Sequence, residues 1–182
     1  MAVNWMKIRN AVLEDVDGIV KVHIDSLKTS HIGILPSDFL DNLTHEWSSP
    51  RFTEALSKPL KDASLYIAEN ENGKIVGFIW GGAERNGDDV YQGEIYAIYV
   101  LNEYQGAGIG RQLVEALVED LLRHHIRSML VMVFAENISS RRFYEAMGGR
   151  KIREGTVTVK GEVYKDVVYG WTNIENISHK LK

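Results

Sequence analysis

The apolar residues of this chain are spaced with a period of two in some segments and with a helical period in others. Alternating or short continuous apolar runs, bounded by polar residues and glycine, predict strands. Apolar residues three and four positions apart predict helices. The predicted strands are residues 5–9, 64–69, 74–83, 91–100, 129–135, 151–159 and 163–171. The predicted helices are residues 12–27, 36–49, 52–57, 109–124 and 137–147.

The order of these elements indicates a mixed sheet. The strands at 64–69 and 74–83 are separated by a short polar stretch that ends in Gly73, which is typical of a hairpin. The strand at 91–100 is apolar almost throughout, so we expect it at the centre of the sheet. A turn and a helix connect it to the apolar strand 129–135, and such a crossover makes the two strands parallel. The pattern therefore predicts an α/β fold.

The turn after the central strand has the composition of an anion-binding loop. Gly106, Gly108 and Gly110 let the backbone turn tightly, and the following helix adds the positive end of its dipole. A P-loop would need Lys and then Ser or Thr after the last glycine, but Arg111 and Gln112 stand there. A dinucleotide fingerprint would need GxGxxG and a second half of a doubly wound sheet, which this chain is too short to supply. The turn thus predicts a phosphate ligand of another kind.

Length and composition fit one domain of ordinary size. The chain has 182 residues, of which 45% are apolar, and its mean hydropathy is −0.19. We predict a single domain over residues 1–172, followed by a frayed polar tail at 173–182. The longest apolar runs have the length of strands, and the N-terminus lacks the features of a secretory signal. We therefore expect a cytoplasmic protein that does not enter a membrane.

Charge and residue types exclude several classes of function. The net charge is −4 and the basic residues are scattered, which argues against a nucleic-acid partner. The absence of cysteine excludes disulfides, thiolate catalysis and cysteine-ligated metals. His124 and His125 point in different directions on a helix, and no HExxH spacing occurs. We accordingly predict no metal site.

Two motifs together resemble the GCN5-related N-acetyltransferases, the GNAT superfamily. Residues 105–110, QGAGIG, match the QxxGxG pyrophosphate motif of that family at every fixed position. The segment NISSRRFYEAMGG, residues 137–149, resembles the family's NxxSxxFYExxGF segment, with Gly149 where an aromatic residue is usual. The resemblance implies a mixed sheet of about seven strands, splayed between strands 4 and 5 and flanked by about four to five helices. Taken alone, Asn137 would be only a helix cap and Tyr144 only a core aromatic.

The resemblance also implies a donor site for acetyl-CoA. The implied contacts are Ile98, Tyr99, Val100, Gln105, Gly106, Ala107, Gly108, Ile109, Gly110, Arg111, Asn137, Ser140 and Tyr144. Backbone groups of the central strand would bond the pantetheine arm, and the turn would hold the pyrophosphate. Tyr144 resembles the family's proton donor to the CoA sulfur. Glu94 lies eleven positions before Gln105, which is the offset of the catalytic glutamate in histone acetyltransferases of this family, so it is the candidate base.

The implied reaction is acetyl transfer from acetyl-CoA to a primary amine. The resemblance also implies a homodimer. In the family the first two helices form one wall of the acceptor groove. The polar residues of that wall would be His31, Asp38, Asp41 and Glu46, and their acids would attract a cationic amine. A polyamine, an aminoglycoside, a protein N-terminus and a lysine side chain stay open as acceptors. Two other functions also stay open: a non-catalytic acyl-CoA-binding regulatory module, and a scaffold that oligomerises through its terminal strands.

Overall fold

The computed structural model describes residues 6–179, and its strands form one seven-stranded sheet in the order β1-β2-β3-β4-β5-β7-β6. The strands are β1 (Met6–Asn10), β2 (Ser64–Asn70), β3 (Ile75–Ala83), β4 (Gly93–Val100), β5 (Met129–Phe134), β6 (Arg150–Val159) and β7 (Glu162–Trp171). The α-helices are α1 (Val16–Ser30), α2 (Ser37–Asp41), α3 (His45–Ser57), α4 (Ile109–Arg123), α5 (Ile138–Ala146) and α6 (Glu175–His179). The predicted start of the first strand at Trp5 lies outside the described residues.

The sheet is splayed where its only parallel neighbours meet. β4 and β5 are parallel and pair over Gly93–Ile95 and Met129–Val131, whereas every other neighbouring pair in the sheet is antiparallel. Beyond Ile95 the two strands separate, while β4 continues on β3 and β5 continues on β7. The mixed sheet with a splay between its fourth and fifth strands is therefore confirmed. β4 is central as predicted, although residues 96–100 are only half-buried because they border the gap.

The two faces of the sheet are covered by different helices. On one face, Phe78 packs edge-on against Phe52 of α3 and lies beside His23 of α1. On the other face, Leu113 and Leu117 of α4 lie against Gly77 and Gly81, where a Cβ atom would come within 3.3 Å and 2.5 Å of these leucines. The glycines of β3 thus allow α4 to approach the sheet closely, which positions the turn before α4 at the splay.

The segment 36–57 differs from the prediction because Pro50 does not end a helix. α2 stops at Asp41, and α3 then starts behind Thr44, whose Oγ1 accepts a hydrogen bond from the Trp47 N–H at 3.2 Å. Pro50 lies inside α3, where it removes one N–H donor. Burial of Phe52 on the inner side of α3, together with the contact of the Ser48 hydroxyl with His23 Nδ1 at 2.7 Å, offsets that loss.

The C-terminal segment was predicted to be a frayed tail, but its described residues are ordered against the domain. Ile174 and Ile177 are 0% and 4% exposed, and the Ile174 N–H donates to the Arg127 carbonyl at 2.9 Å. α6, which carries Ile177, packs against α4, so these residues belong to the domain. Residues 6–179 form six α-helices, one more than the four to five expected, because α6 is present. Within residues 6–179, none of the helices combines the length and the apolar character needed to cross a membrane.

Candidate active site

A cleft of about 530 Å³ opens where β4 and β5 separate. Its walls are the second halves of these strands, the C-terminal part of α1, the turn before α4 and the first turns of α5. Of the predicted site residues, Ala107 does not line it. Those that do are Glu94, Ile98, Tyr99, Val100, Gln105, Gly106, Gly108, Ile109, Gly110, Arg111, Asn137, Ser140 and Tyr144. The fold therefore brings the two sequence motifs to one cavity.

The glycine turn has the backbone that the sequence predicts. Gly106 and Gly108 have φ of 79° and 80°, in the left-handed region that favours glycine, and Gly108 is the N-cap of α4. Gly110 is needed for space, because a Cβ atom there would lie 3.1 Å from the Phe143 ring. The first N–H groups of α4 have no carbonyl to bond within the helix, so they are available to an anion. Arg111 lies half-buried on the same wall and adds a cation.

The edge of β4 that faces the splay carries backbone groups without a partner strand at alternate residues. The Leu101 N–H donates to the Val76 carbonyl at 2.9 Å, so this residue bonds toward β3. Because bonding directions alternate along a strand, the backbones of Ile98 and Val100 point toward the cleft and that of Tyr99 points toward β3. The Gln105 side chain donates to the Val100 carbonyl at 3.0 Å and ties the strand end to the turn. Tyr99 therefore contributes its side chain to the cleft rather than its backbone.

Tyr144 is held on α5 by aromatic neighbours. Its ring lies 6.1 Å from that of Tyr169 and 6.2 Å from that of Trp171, and the residue is 6% exposed. Burial raises the pKa of the Tyr144 phenol, and the neighbouring Tyr99 raises it further. The phenol is accordingly protonated at neutral pH and presents an O–H donor.

Asn137 acts as the cap that its position suggests. Its Oδ1 accepts a hydrogen bond from the Ser140 N–H at 3.2 Å, and the residue is buried beside the cleft. Arg141 has a structural role, because its Nη1 donates to the Ala135 carbonyl at 2.9 Å and its Nε donates to the Tyr169 hydroxyl at 3.1 Å. These bonds fix the start of α5 against the end of β5.

Glu94 lies in the cleft wall with its carboxylate already bonded. Arg85 donates to Oε1 from Nη2 at 2.7 Å and to Oε2 from Nε at 3.1 Å, and its backbone N–H also donates to Oε2 at 3.2 Å. Glu94 is 2% exposed, whereas the Arg85 side chain keeps 41% of its surface. The ion pair raises the pKa of Arg85. Glu94 is therefore a counter-ion in this structure, and its role as base stays a prediction.

The α1 wall contains polar groups that the sequence reasoning only partly identified. His31 is 5% exposed, and its Nδ1 lies 2.6 Å from the Ser30 hydroxyl; burial lowers its pKa to about 4, so the ring is neutral at pH 7. The Ser26 hydroxyl is buried and has no hydrogen-bond partner within residues 6–179. Ser26 and Ser30 were missed, although their helical spacing from His23 continues the inward face of α1.

The predicted acidic wall of the acceptor groove is not formed. Asp38 lines a separate cavity of about 360 Å³ between α2 and the β6–β7 turn. Asp41 and Glu46 are exposed and line neither of these two cavities. The acid that does line the cleft, besides Glu94, is Asp166 of β7, which is 6% exposed and whose pKa is raised by burial. Within residues 6–179, no three His, Cys, Asp or Glu side chains come together as a metal site.

The sequence profile of the acetyltransferase (GNAT) family matches residues 34–149 of the chain. The uncharacterized N-acetyltransferase YuaI of Bacillus subtilis (strain 168) is 36% identical over 174 residues, which cover 96% of this chain and 97% of that protein. The chain belongs to the GNAT family. It is an acetyltransferase, as the names of its relatives state.

Solved structures show the same fold as this GNAT protein at low sequence identity. The PaiA N-acetyltransferase from Thermoplasma acidophilum, determined in complex with coenzyme A, has a TM-score of 0.69 at 18% identity and covers 89% of this chain and 98% of its own. YncA from Salmonella typhimurium, determined with acetyl-CoA, has a TM-score of 0.66 at 20% identity, with coverage of 92% and 94%. The seven-stranded splayed sheet of the GNAT protein is thus that of its structural neighbours.

Proposed function

We propose that this GNAT protein transfers the acetyl group of acetyl-CoA to a primary amine, which attacks the thioester directly while both substrates are bound. The observation that carries the proposal is the single cleft. It runs from the anion-binding turn, past the free edge of β4 and Tyr144, to the polar wall of α1. Such a cleft lets one substrate enter from each side of the sheet and meet in the gap. Coenzyme A and acetyl-CoA in the complexes of PaiA and YncA support this reading.

The donor end of the cleft, which we define as residues 105–111 with Ile98 and Val100, fits a CoA thioester. The N–H groups at the start of α4 and the Arg111 guanidinium would hold the pyrophosphate. The outward backbone groups of Ile98 and Val100 would bond the amide groups of the pantetheine arm, as one strand bonds another. Asn137 and Ser140 would add contacts from the opposite side. The backbone at Gly106 and Gly108 faces open space, with no heavy atom within 4 Å of the position that a Cβ atom would occupy.

The transfer step needs a nucleophile, an oxyanion donor and a proton for the leaving group. The neutral amine nitrogen attacks the carbonyl carbon, so that a C–N bond forms as the C–S bond breaks. A backbone N–H at Ile98 or Val100 would stabilise the oxygen that becomes negative. Tyr144 would donate its proton to the departing thiolate and would regain one from the proton that the amine releases. The raised pKa of Tyr144 keeps the donor proton in place until the thiolate forms.

The test of this function is thiol release from acetyl-CoA across a panel of amines, with Tyr144→Phe as the diagnostic variant. We expect kcat to fall by about 10²-fold or more, since general acid catalysis contributes that much, with the acetyl-CoA Kd unchanged. Tyr66→Phe is the matched control, because Tyr66 is also buried but does not line the cleft. Full activity in Tyr144→Phe would remove it as the acid.

Acetyl-CoA binding without thiol release for any amine would instead favour the non-catalytic module. If the wild-type protein neither binds acetyl-CoA nor releases thiol from it, the result would favour the scaffold that oligomerises through its terminal strands. The homodimer and the cytoplasmic location stay predictions, and sedimentation of the purified chain at several concentrations tests the first of them.

A further inference from the structure

The charges around the acceptor end of the cleft do not suit a polyamine. We define the acceptor end as Arg85, Glu94, Tyr96 and the α1 wall of Ser26, Ser30 and His31. Glu94 is neutralised by Arg85. His31 and the neighbouring His23 are neutral at pH 7, because burial lowers their pKa values to about 4 and about 3. The remaining acid on the cleft wall is Asp166, which is buried on β7 and has no ion pair within residues 6–179, so a multiply cationic amine would meet at most one unpaired carboxylate.

A cation without a counter-ion lies next to this end. The Arg51 guanidinium of α3 sits 5.3 Å from the centre of the Trp80 ring. Trp80 packs edge-on against Tyr96 at 5.2 Å, and Arg85 covers Tyr96 at 4.1 Å. A continuous row of contacts therefore runs from Arg51 through Trp80 and Tyr96 to Arg85, and only the last two of these residues line the cleft. Within residues 6–179, Arg51 has neither an ion pair nor a hydrogen bond, unlike Arg85.

The surroundings of Arg51 make that isolation costly. Although the residue is exposed at the surface, protein groups crowd its guanidinium enough to lower its pKa, and Arg85 adds repulsion. A bound anion would relieve both effects, since a guanidinium forms paired hydrogen bonds with a planar or tetrahedral oxyanion. Arg51 does not itself line the cleft, but its contact with Trp80 on β3 brings it to the side of the cleft wall that Tyr96 forms.

We propose that the acceptor of this enzyme is a small amine that also carries an oxyanion, a carboxylate or a phosphoryl group, and that Arg51 binds that oxyanion. The inference rests on the proposed amine acetylation and names its substrate class. The cleft wall offers at most one carboxylate without an ion pair within residues 6–179, Asp166 of β7, which matches an acceptor with a single ammonium group better than a polycation. An amino acid or an aminoalkylphosphonate has this pair of charges, whereas a polyamine or an unmodified lysine side chain does not.

Matched acceptors test the proposal in the wild-type enzyme. Each amino acid is compared with its decarboxylated counterpart: L-phenylalanine with phenethylamine, L-tryptophan with tryptamine, and glycine with methylamine. Aminomethylphosphonate distinguishes a phosphoryl from a carboxylate preference, and spermidine represents the polycations. We expect kcat/KM to be at least about 10-fold higher for the best oxyanion-bearing acceptor than for its counterpart, the effect of one charge-assisted hydrogen bond or more. Equal or better use of spermidine or of the decarboxylated amines would overturn the proposal.

The Arg51→Gln variant assigns the effect to this residue. We expect KM for the oxyanion-bearing acceptor to rise about 10- to 100-fold, with KM for its counterpart and the acetyl-CoA Kd unchanged. Arg51→Lys should retain part of the preference because it retains the charge. Arg150→Gln removes an exposed arginine of β6 that does not line the cleft, so it should change neither KM. An equal loss for both members of a pair in Arg51→Gln would contradict the assignment.

A binding measurement separates this inference from the proposed function. The CoA-saturated protein and its Arg51→Gln variant are titrated with the same amino acids and amines by calorimetry. Binding that requires both the oxyanion and Arg51 supports the inference even when no thiol is released, in which case only the transfer reaction has failed. Thiol release with no dependence on the oxyanion or on Arg51 preserves the proposed function and overturns the inference.

Discussion

The carboxylate of Glu94 has two competing roles in this cleft, base and counter-ion. Three donors from Arg85 occupy its two oxygens, and the guanidinium also lies 4.1 Å from the centre of the Tyr96 ring. A base must release such a partner, or accept the proton through water at the edge of the pair. Since Arg85 keeps 41% of its side-chain surface, water reaches the outer side of the guanidinium. Movement of Arg85 into the solvent would, however, leave the buried Glu94 carboxylate without its partner, which is the cost that a role as base must meet.

We expect Glu94→Gln to lower kcat/KM by about 10²-fold and to remove the enzyme's part of the fall in activity at acidic pH, which leaves only the part due to protonation of the acceptor amine. The measurement is kcat/KM against pH for the wild type and the variant. The Arg85→Gln/Glu94→Gln double variant is the control, because it removes the unpaired guanidinium that the single variant leaves. A pH profile of unchanged shape, together with recovery of activity in the double variant, would assign Glu94 to the counter-ion role alone.

At the scale of elements, the turn before α4 depends on two glycines in a conformation that other residues resist. We expect Gly108→Ala to weaken CoA binding by about 5- to 10-fold, because a left-handed alanine costs about 1 kcal/mol and the turn relaxes by re-aiming its N–H groups. Gly73→Ala is the matched control. Gly73 has φ of 77° and equally open surroundings, but it lies in the β2–β3 turn away from the cleft. Calorimetry with CoA gives the Kd, and urea unfolding gives the stability of each variant. Equal weakening by both substitutions would contradict a local role for the turn.

The docking of α6 onto α4 is the second property that belongs to an element. Ile174, in the loop that leads into α6, is fully buried, so Ile174→Ala should lower the free energy of unfolding by about 2–4 kcal/mol through lost burial and a cavity. Val163→Ala is the control, because Val163 is 66% exposed and its truncation should change stability by less than about 0.5 kcal/mol. Urea unfolding measures both. A stability change within error for Ile174→Ala would mean that residues 174–179 contribute nothing to the fold.

The elements that could be predicted from the sequence are those whose patterns are long and continuous. β3, β4, α4 and β5 were located within a few residues, because each has its own apolar period and ends at a change to polar residues or glycine. α3 was misplaced because the cap at Thr44 and the burial of Phe52 outweigh Pro50, and a local rule weighs the proline alone. α6 was missed because two isoleucines in a polar stretch show no period.

The residues of the candidate site also fall into two groups, those that the sequence predicts and those that only the structure reveals. The turn and Tyr144 are recognisable because their motifs are contiguous in the chain. The Arg85–Glu94 pair and the isolation of Arg51 arise from tertiary packing between different elements, which no local pattern records. The prediction of an acidic wall was wrong for that reason. The sequence assigns Asp38, Asp41 and Glu46 to helices, but it does not show which side of each helix faces the cleft.

At the scale of the whole molecule, two buried histidines link stability to pH. Burial lowers the pKa of His23 to about 3 and that of His31 to about 4, from an ordinary value of 6.5. His23 is 3% exposed, and its Nδ1 lies 2.7 Å from the Ser48 hydroxyl. The unfolded chain binds protons at these rings below about pH 6.5, whereas the folded chain does so only near pH 3–4. Stability is therefore complete above pH 6.5 and falls as the pH decreases through that window.

We expect the free energy of unfolding to be about 2–4 kcal/mol lower at pH 5 than at pH 7, because each ring contributes up to about 1.4 kcal/mol per pH unit between its folded and unfolded pKa values. Urea unfolding at constant ionic strength across this range measures the slope. His23→Gln should remove about half of it, since glutamine retains a hydrogen bond to Ser48 and does not titrate, whereas His125→Gln, at an exposed position, should leave the slope unchanged. The pH range lies above the ordinary pKa of aspartate and glutamate, so paired carboxylates such as Asp15, whose pKa is lowered by Arg9, add little to it. A flat profile from pH 7 to pH 5 would show that the two rings are already protonated, or accessible to water, in the folded protein.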